Sequence, residues 1–353
     1  MRAVVYRGVN DLRVETVPLP RVGPNELLVK VATCGVCPTD IKKIHYGTVT
    51  PPRIFGHETA GTIVKTGNGP KIRAHRLKAG DRVALHHHVP CLKCHYCRHH
   101  AFAQCETYKR TGITAGFEPA GGGFAEYVRV MDFVLPGVVK IPAKNSFEEG
   151  AMLEPVNTVL KAVKRLNLLR GDNALVVGQG PIGLMFTKLL QLRGINVLAT
   201  DLLKSRLKLA KKFGAKQALL ASQLSTSGTQ LDAAIVAVPS DAAVAQAIEL
   251  VRGAGQVLLF AHTKRTSASP RSQPPEARPQ LDFASICLDE KDLIGSYSSD
   301  FTIQDEVAQL VFSRKLDIRP LITHRFPLEQ TADAVALASH PTEKSLKIVV
   351  KHP

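Results

Sequence analysis

Four thiols crowd into the stretch CLKCHYCRHHAFAQC, where Cys91, Cys94, Cys97 and Cys105 are spaced three, three and eight residues apart. Four thiolates close a tetrahedral shell around zinc and leave no position for a substrate, so this cluster is expected to be structural. The six histidines beside it, His86, His87, His88, His95, His99 and His100, are expected to be solvated, because the four sulfurs already suffice. A second set of metal-binding residue types is scattered: Cys37 in CGVCPTD, His57 and Glu58 in FGHETAG, and Glu154 in MLEPV. Thiolate, imidazole and carboxylate give a mixed shell that leaves a coordination position open, as a catalytic zinc requires. Each of these residues also has an ordinary reading. Cys34 or Cys37 would serve as a buried thiol, His57 as a turn histidine, Glu58 as a surface acid and Glu154 as a helix-terminal carboxylate. Spacing alone does not join them.

The run ALVVGQGPIGLMFTKLLQLRG carries a different chemistry. Gly178, Gly180 and Gly183, with Pro181 and Ile182 between them, follow an apolar strand and open a helix. A lone glycine motif is a weak signal, and the strand before it and the helix after it give it meaning. The first glycine permits the tight turn, the second lets a pyrophosphate approach the backbone, and the third lets helix and strand pack closely. The helix start then offers free N–H groups and a positive dipole end to the phosphates. Asp201 ends the next strand, LATD, eighteen residues past Gly183. A carboxylate there accepts bonds from both ribose hydroxyls and repels a 2′-phosphate, which favours NAD over NADP. Lys204 and Arg206 lie close by and keep NADP open as the alternative, and Arg206 is a second candidate cofactor contact.

These residues need elements to hold them. The first third of the chain reads as short strands divided by Gly and Pro: AVVY, LLVKVAT, TAGTIVKTG, DRVAL and FAEYVRV. From Glu148 the pattern becomes helical through FEEGAMLEPVNTVLKAVKRL. It then alternates between helices and the buried strands NALVVG, INVLAT, AAIVAV, QVLLF and DLIGSY. That alternation predicts an α/β domain with a parallel sheet covered on both faces. The segment KRTSASPRSQPPEARPQ, residues 264–280, is rich in Pro, Ser and Arg and reads as a decorative surface loop. A helical stretch, TIQDEVAQLVFSRK, and a closing strand, SLKIVV, complete the chain.

Composition bounds the function. A chain of 353 residues, 44% hydrophobic and 22% charged, is long enough for two globular domains with real cores. The N-terminal stretch alternates like a strand and lacks a long apolar run, so a soluble, cytoplasmic protein without a membrane anchor is expected. Seven cysteines, an odd number with four packed together, fit metal ligation in a reducing compartment better than a disulfide framework. The formal charge of +16 is compatible with nucleic acid or small anions. Its densest groups, at 65–78 and 204–212, lack interleaved aromatics, and the segment after the cysteines is turn-like, so no nucleic-acid partner is expected.

The motifs together resemble the zinc-dependent medium-chain dehydrogenase/reductase family. GVCPTD is similar to that family's Cys-x-Ser/Thr-Asp element, GHETAG to its Gly-His-Glu element, the four-cysteine run to its structural-zinc lobe, and VVGQGPIG to its cofactor turn. LEPV narrows the likeness to the sorbitol, threonine and polyol branch, because the simple-alcohol branch has a cysteine where Glu154 stands. The resemblance implies a GroES-like catalytic domain from residues 1–155 and 297–353, with a zinc lobe over about 88–110. A Rossmann NAD-binding domain would occupy 156–296. It implies two zinc ions per chain, one catalytic on Cys37 and His57 with Glu58 or Glu154, and one structural on the four clustered cysteines. Asp40 would orient His57, and Thr39 would first receive the substrate proton. The implied activity is hydride transfer from a secondary alcohol, a polyol, sugar or amino alcohol, to NAD, in a homodimer or homotetramer. One departure bears on the outer proton relay. Many relatives carry a histidine five residues after the zinc cysteine, where this chain has Lys42, and His45 cannot be assumed to replace it.

Overall fold

The computed structural model describes residues 1–110, 121–224, 230–261 and 282–352, and the 264–280 segment lies outside the described residues. The chain forms two compact units, Met1–Thr158 with Ser298–Pro353, and Val159–Tyr297.

Among the described residues, the first unit has nine strands: β1 (Arg2–Gly8), β2 (Asp11–Thr16), β3 (Leu27–Gly35), β4 (Glu58–Thr66), β5 (Arg82–Leu85), β6 (Tyr127–Val130), β7 (Val138–Lys140), β14 (Ile322–Pro327) and β15 (Lys347–Lys351). β1 and β2 pair antiparallel, and the remaining seven form one sheet in the order β14-β15-β3-β4-β5-β7, with β6 also on β3. β3 is the hub. Its first half pairs with β6 and its last three residues with β15, while β4 runs along it from Leu27 to Gly35. Alternation explains its place: Leu27, Val29 and Val31 are fully buried, and they pack with Ile63, Val83 and Leu85 from β4 and β5. Toward its C-terminal end the environment changes. Cys34 and Val36 enter a second cluster with Ile41, Ile44, Phe55, Phe124 and Val350, and burial pushes the Cys34 thiol far above its ordinary range. Cys34 is therefore the buried core thiol of the pair.

The helical stretch after Glu148 divides into two helices, Phe147–Ala151 and Leu153–Val163. The break follows from Pro155, which has no N–H to give; starting the second helix at Leu153 puts it in the first turn, where none is needed. Glu154 is thereby held at that helix's N-terminal end. Ser146 caps the first helix through a reciprocal box, its hydroxyl accepting from the Glu149 N–H at 3.1 Å while Glu149 accepts from the Ser146 N–H at 2.8 Å.

The second unit carries β8 (Asn173–Val177), β9 (Asn196–Asp201), β10 (Gln217–Leu220), β11 (Leu231–Val236), β12 (Val251–Leu259) and β13 (Asp292–Gly295). They lie in the order β10-β9-β8-β11-β12-β13 with every pairing parallel. This is the doubly wound order of dinucleotide-binding folds, in which the chain reverses direction across the sheet at its first strand. β10 is the strand that pattern reading misses, because QALL is short, sits at the sheet edge and is only half-buried. The basic run at 204–212 is an ordinary amphipathic helix: Leu207 and Ala210 are buried, and Lys204, Lys208, Lys211 and Lys212 face solvent.

Ser146→Ala removes one half of the capping box and is expected to lower stability by about 1 kcal/mol, read as a lower urea midpoint with an unchanged slope.

Candidate metal centres and dinucleotide turn

Cys37 is the N-cap of the helix Pro38–Tyr46, with Pro38 in the first turn and Gly47 ending the helix in the left-handed conformation. The Thr39 N–H donates to Cys37 Sγ at 3.5 Å, so the sulfur lies at the N-terminal end of the helix. One turn in, Asp40 is almost completely buried, and its Oδ1 stands 3.1 Å from His57 Nδ1. That contact fixes the ring and leaves Nε2 as its ligand nitrogen. Gly56, with φ at +96°, turns the chain into β4, whose first residue is Glu58. Across the sheet Glu58 pairs with Gly35, and the missing side chain matters there: a Cβ on Gly35 would fall 1.9 Å from Glu58 Oε2. These devices bring ligand atoms of Cys37, His57 and Glu58 to within 4.8 Å of one another.

Two partners of this group are not evident from motif reading. Lys347, the first residue of β15, buries its ammonium against Glu58 at 2.5 Å and donates to the Val36 carbonyl at 2.9 Å. His88 faces Glu154, with Nδ1 3.5 Å from Oε1, and bonds Ser299 at 2.5 Å. Glu154 lies outside the tight group of three ligands, although burial raises its carboxyl to about 7 in the field of His57, Glu58 and Lys347. The expectation that the flanking histidines are solvated holds for His95, His99 and His100 and fails for the other three. His86 and His87 are fully buried and His88 nearly so. Burial pushes His86 down to about 4 and His87 well below its ordinary value. The signal was present in the sequence: the triplet directly continues the apolar strand RVAL and precedes a buried Val-Pro pair. His45 is tied to Asn10 and, at 2.8 Å, to Ser339. It is thus engaged in holding its helix to neighbouring elements.

The charge balance fits a cation. Burial works against a charged imidazole at His57, yet Asp40 and Cys37 outweigh it and raise the ring well above its ordinary value. Asp40 Oδ2 is buried without a hydrogen-bond partner. Several anionic groups around one lysine are a donor set that a divalent ion would neutralise.

The clustered cysteines are equally well arranged. Cys91 and Cys97 sulfurs are 3.9 Å apart, Cys94 and Cys97 3.5 Å, and the Cys91 N–H donates to Cys105 Sγ at 3.3 Å. Zinc–sulfur bonds of about 2.3 Å in a tetrahedron put sulfurs roughly 3.8 Å apart, so the spacing suits zinc. The N–H groups of Lys93 and Cys94 draw the Cys91 thiol down to about 6, whereas burial and the neighbouring sulfurs raise Cys97 to about 12. The described helix that follows the cluster, Glu106–Arg110, has only five residues.

In the second unit Gly178 adopts φ +87°, Gly180 caps the helix Pro181–Leu192, and a Cβ on Gly183 would strike the Gly178 carbonyl at 1.7 Å. A Cβ on Gly180 would meet nothing within 4 Å, which leaves its backbone open to a ligand. Asp201 ends β9 beside this turn, with Oδ2 accepting from the Gln179 N–H at 2.6 Å and Oδ1 from the Leu203 N–H at 2.9 Å. Each oxygen retains lone-pair capacity for a hydroxyl. Arg206 is buried on the following helix rather than extended into solvent, with Asp201 the opposite charge acting on it.

Comparison with known proteins now decides the family. Residues 23–143 match the alcohol dehydrogenase GroES-like domain, and residues 181–313 match the zinc-binding dehydrogenase domain. The chain belongs to the zinc-dependent medium-chain dehydrogenase family. It is 30% identical over 368 aligned positions to a sorbitol dehydrogenase of Bombyx mori, covering 99% of both chains. Among solved structures, it is similar to a zinc-binding dehydrogenase of Sinorhizobium meliloti 1021 bound to NADP, at 26% identity and a TM-score of 0.85 over 99% of this chain and 98% of that one. It is also similar to galactitol-1-phosphate dehydrogenase of Escherichia coli, at 27% identity and a TM-score of 0.82 over 99% of this chain and 100% of that one. The protein is accordingly an oxidoreductase with a GroES-like and a Rossmann-type fold, acting on a small-molecule substrate. No described helix is long and apolar enough to cross a membrane.

Lys347→Met leaves Glu58 buried without its counter-charge and is expected to cost about 3–5 kcal/mol, measured as a large drop in the melting temperature. An unchanged melting temperature would mean that the pair contributes nothing to the fold.

Proposed function

We propose that this dehydrogenase oxidises a secondary hydroxyl of a polyol, sugar or amino alcohol to a ketone, with NAD as hydride acceptor. The observation that carries the reading is the buried meeting of Cys37, His57 and Glu58, with Glu154 nearby in place of a second thiolate. The sorbitol and galactitol-1-phosphate dehydrogenases among its relatives support the polyol class. The catalytic domain is assigned to residues 1–155 and 297–353 and the cofactor domain to 156–296. Homo-oligomerisation and a cytoplasmic location complete the reading.

Cys37 and His57 would hold the catalytic zinc with Glu58 or Glu154, and Cys91, Cys94, Cys97 and Cys105 the structural one. When bound, the zinc supplies Lewis acidity that lowers the pKa of an alcohol, and the nicotinamide supplies a hydride acceptor. Asp40 accepts from His57 Nδ1–H and so orients the ring with Nε2 as the nitrogen left to serve as a ligand. Thr39 Oγ1 receives the hydroxyl proton. Lys347, held against Glu58, competes for that carboxylate, and Glu154 would share the acidic position. Gly178, Gly180, Pro181, Ile182 and Gly183 cradle the pyrophosphate, and Asp201 takes the adenosine ribose hydroxyls. Arg206 is assigned a supporting place beside Asp201, since it is buried on the helix that follows and the Asp201 charge acts on it.

The test is a substrate panel of polyols, sugars, threonine and simple secondary alcohols, each with NAD and with NADP. Purified protein is expected to carry about two zinc ions per chain and to reduce NAD fastest with a polyol-type substrate. Cys37→Ser should abolish turnover, lose one zinc and remain folded; retained activity would sink the zinc mechanism. Cys94→Ser should lose the other zinc and lower the melting temperature before it affects hydride transfer. A stable but inactive Cys94→Ser protein contradicts that division.

A further inference from the structure

Three consecutive histidines continue β5 into the catalytic unit's interior, and the zinc-ligand roles above use none of them. His87 lies against the candidate ligand His57, its ring edge-on with centroids 5.3 Å apart, and is packed on His88 at 3.8 Å. His87 is fully buried, and neither ring nitrogen completes a hydrogen bond, although the backbone carbonyl of His57 bears on the ring. Buried polar atoms are almost always satisfied, so an imidazole left open beside a ligand set requires an explanation. A neutral ring has one donor and one acceptor nitrogen. Whichever nitrogen turns to the His57 carbonyl, the other is left for something that enters from outside. His88 is not available for that role, since Ser299 and Glu154 already hold it. An apolar residue at position 87 would suit a hydrocarbon substrate, whereas a histidine there suits a molecule that presents a hydroxyl beside the reacting carbon.

We propose that His87 is a specificity-determining residue, whose open ring nitrogen hydrogen-bonds the hydroxyl vicinal to the one oxidised. The proposal rests on the polyol reading above. A site built to bond a hydroxyl discriminates against the analogue that lacks it, because its own buried polar group is then left unpaired.

The matched probes are 2,3-butanediol and 2-butanol, which share a carbon skeleton and differ by one hydroxyl. The zinc-loaded enzyme should favour the diol in kcat/KM. His87→Phe, which keeps a ring and removes both nitrogens, should reduce the diol-to-monoalcohol ratio by about tenfold or more, mainly through KM. His87→Gln should restore part of the ratio. Titration calorimetry of the diol should show a weaker Kd by a similar factor in His87→Phe, with zinc content and melting temperature measured alongside. If the wild-type enzyme prefers 2-butanol, the polyol reading itself falls and the proposal with it. If it prefers the diol and His87→Phe keeps that preference, or loses both substrates together with zinc, only the role of His87 is overturned. Should His87→Phe fail to fold, the same comparison made with His87→Gln and His87→Asn decides it, with an unchanged ratio in both again counting against the proposal.

Discussion

The constraint on which the catalytic unit depends is the burial of several negative groups in one place. Cys37, Asp40, Glu58 and Glu154 converge around His57 with Lys347 as the one ammonium among them. Taking a charge out of water is costly unless a counter-charge is supplied, so this centre cannot be an accident of packing. The His57 ring responds by holding its proton, and Glu154 responds by rising to about 7. Both responses place positive charge, or remove negative charge, where a divalent ion would do so. The fold around the centre exists to enforce that convergence. β3 delivers Gly35 and the turn to Cys37, β4 begins with Glu58, β15 begins with Lys347, and the break before Pro155 sets Glu154 in a first turn.

Parts of this were legible in the sequence because the relevant physics is local. The glycine turn of the second unit is defined by backbone conformation over six residues, and the clustered cysteines by one short loop. Their geometry follows the spacing closely. The parallel sheet was legible because β8, β9, β11 and β12 are continuous apolar runs, and β10 was not, because an edge strand needs no such run. The distributed centre was legible only through family likeness. No period or spacing relates Cys37 to Lys347, which meet through the antiparallel pairing of β3 with β15. The buried histidines were misread for a related reason. Histidine is intermediate in burial preference, and the apolar strand leading into the triplet was a better guide than the polar loop following it.

The two metal-binding groups illustrate how ligand placement follows from what each site must do. In the cysteine lobe all four ligands come from one stretch of fifteen residues, so the loop is closed on itself and the backbone N–H groups of Cys91, Lys93 and Cys94 add to the stabilisation of the sulfurs. Four sulfurs around one ion leave no position for a substrate. The second group draws on a helix N-cap, a strand start and a second helix, with its carboxylates each held by a basic partner, Glu58 by Lys347 and Glu154 by His88. A centre supported from several elements is rigid in position yet has ligands with alternative partners. That combination allows coordination to change during a reaction without the fold changing.

The paired carboxylates give that idea a direction. Glu58 is anchored by a 2.5 Å contact to a lysine that is itself fixed by the Val36 carbonyl, so moving Glu58 onto a metal requires separating a buried ion pair. Glu154 is held by a longer contact of 3.5 Å to a histidine that also bonds Ser299. If Glu154 moves, His88 keeps its bond to Ser299, so Glu154 is the less firmly held of the two carboxylates. The centre thus carries one acid fixed by a buried ammonium and one resting on an imidazole, two carboxylates of unequal freedom beside His57.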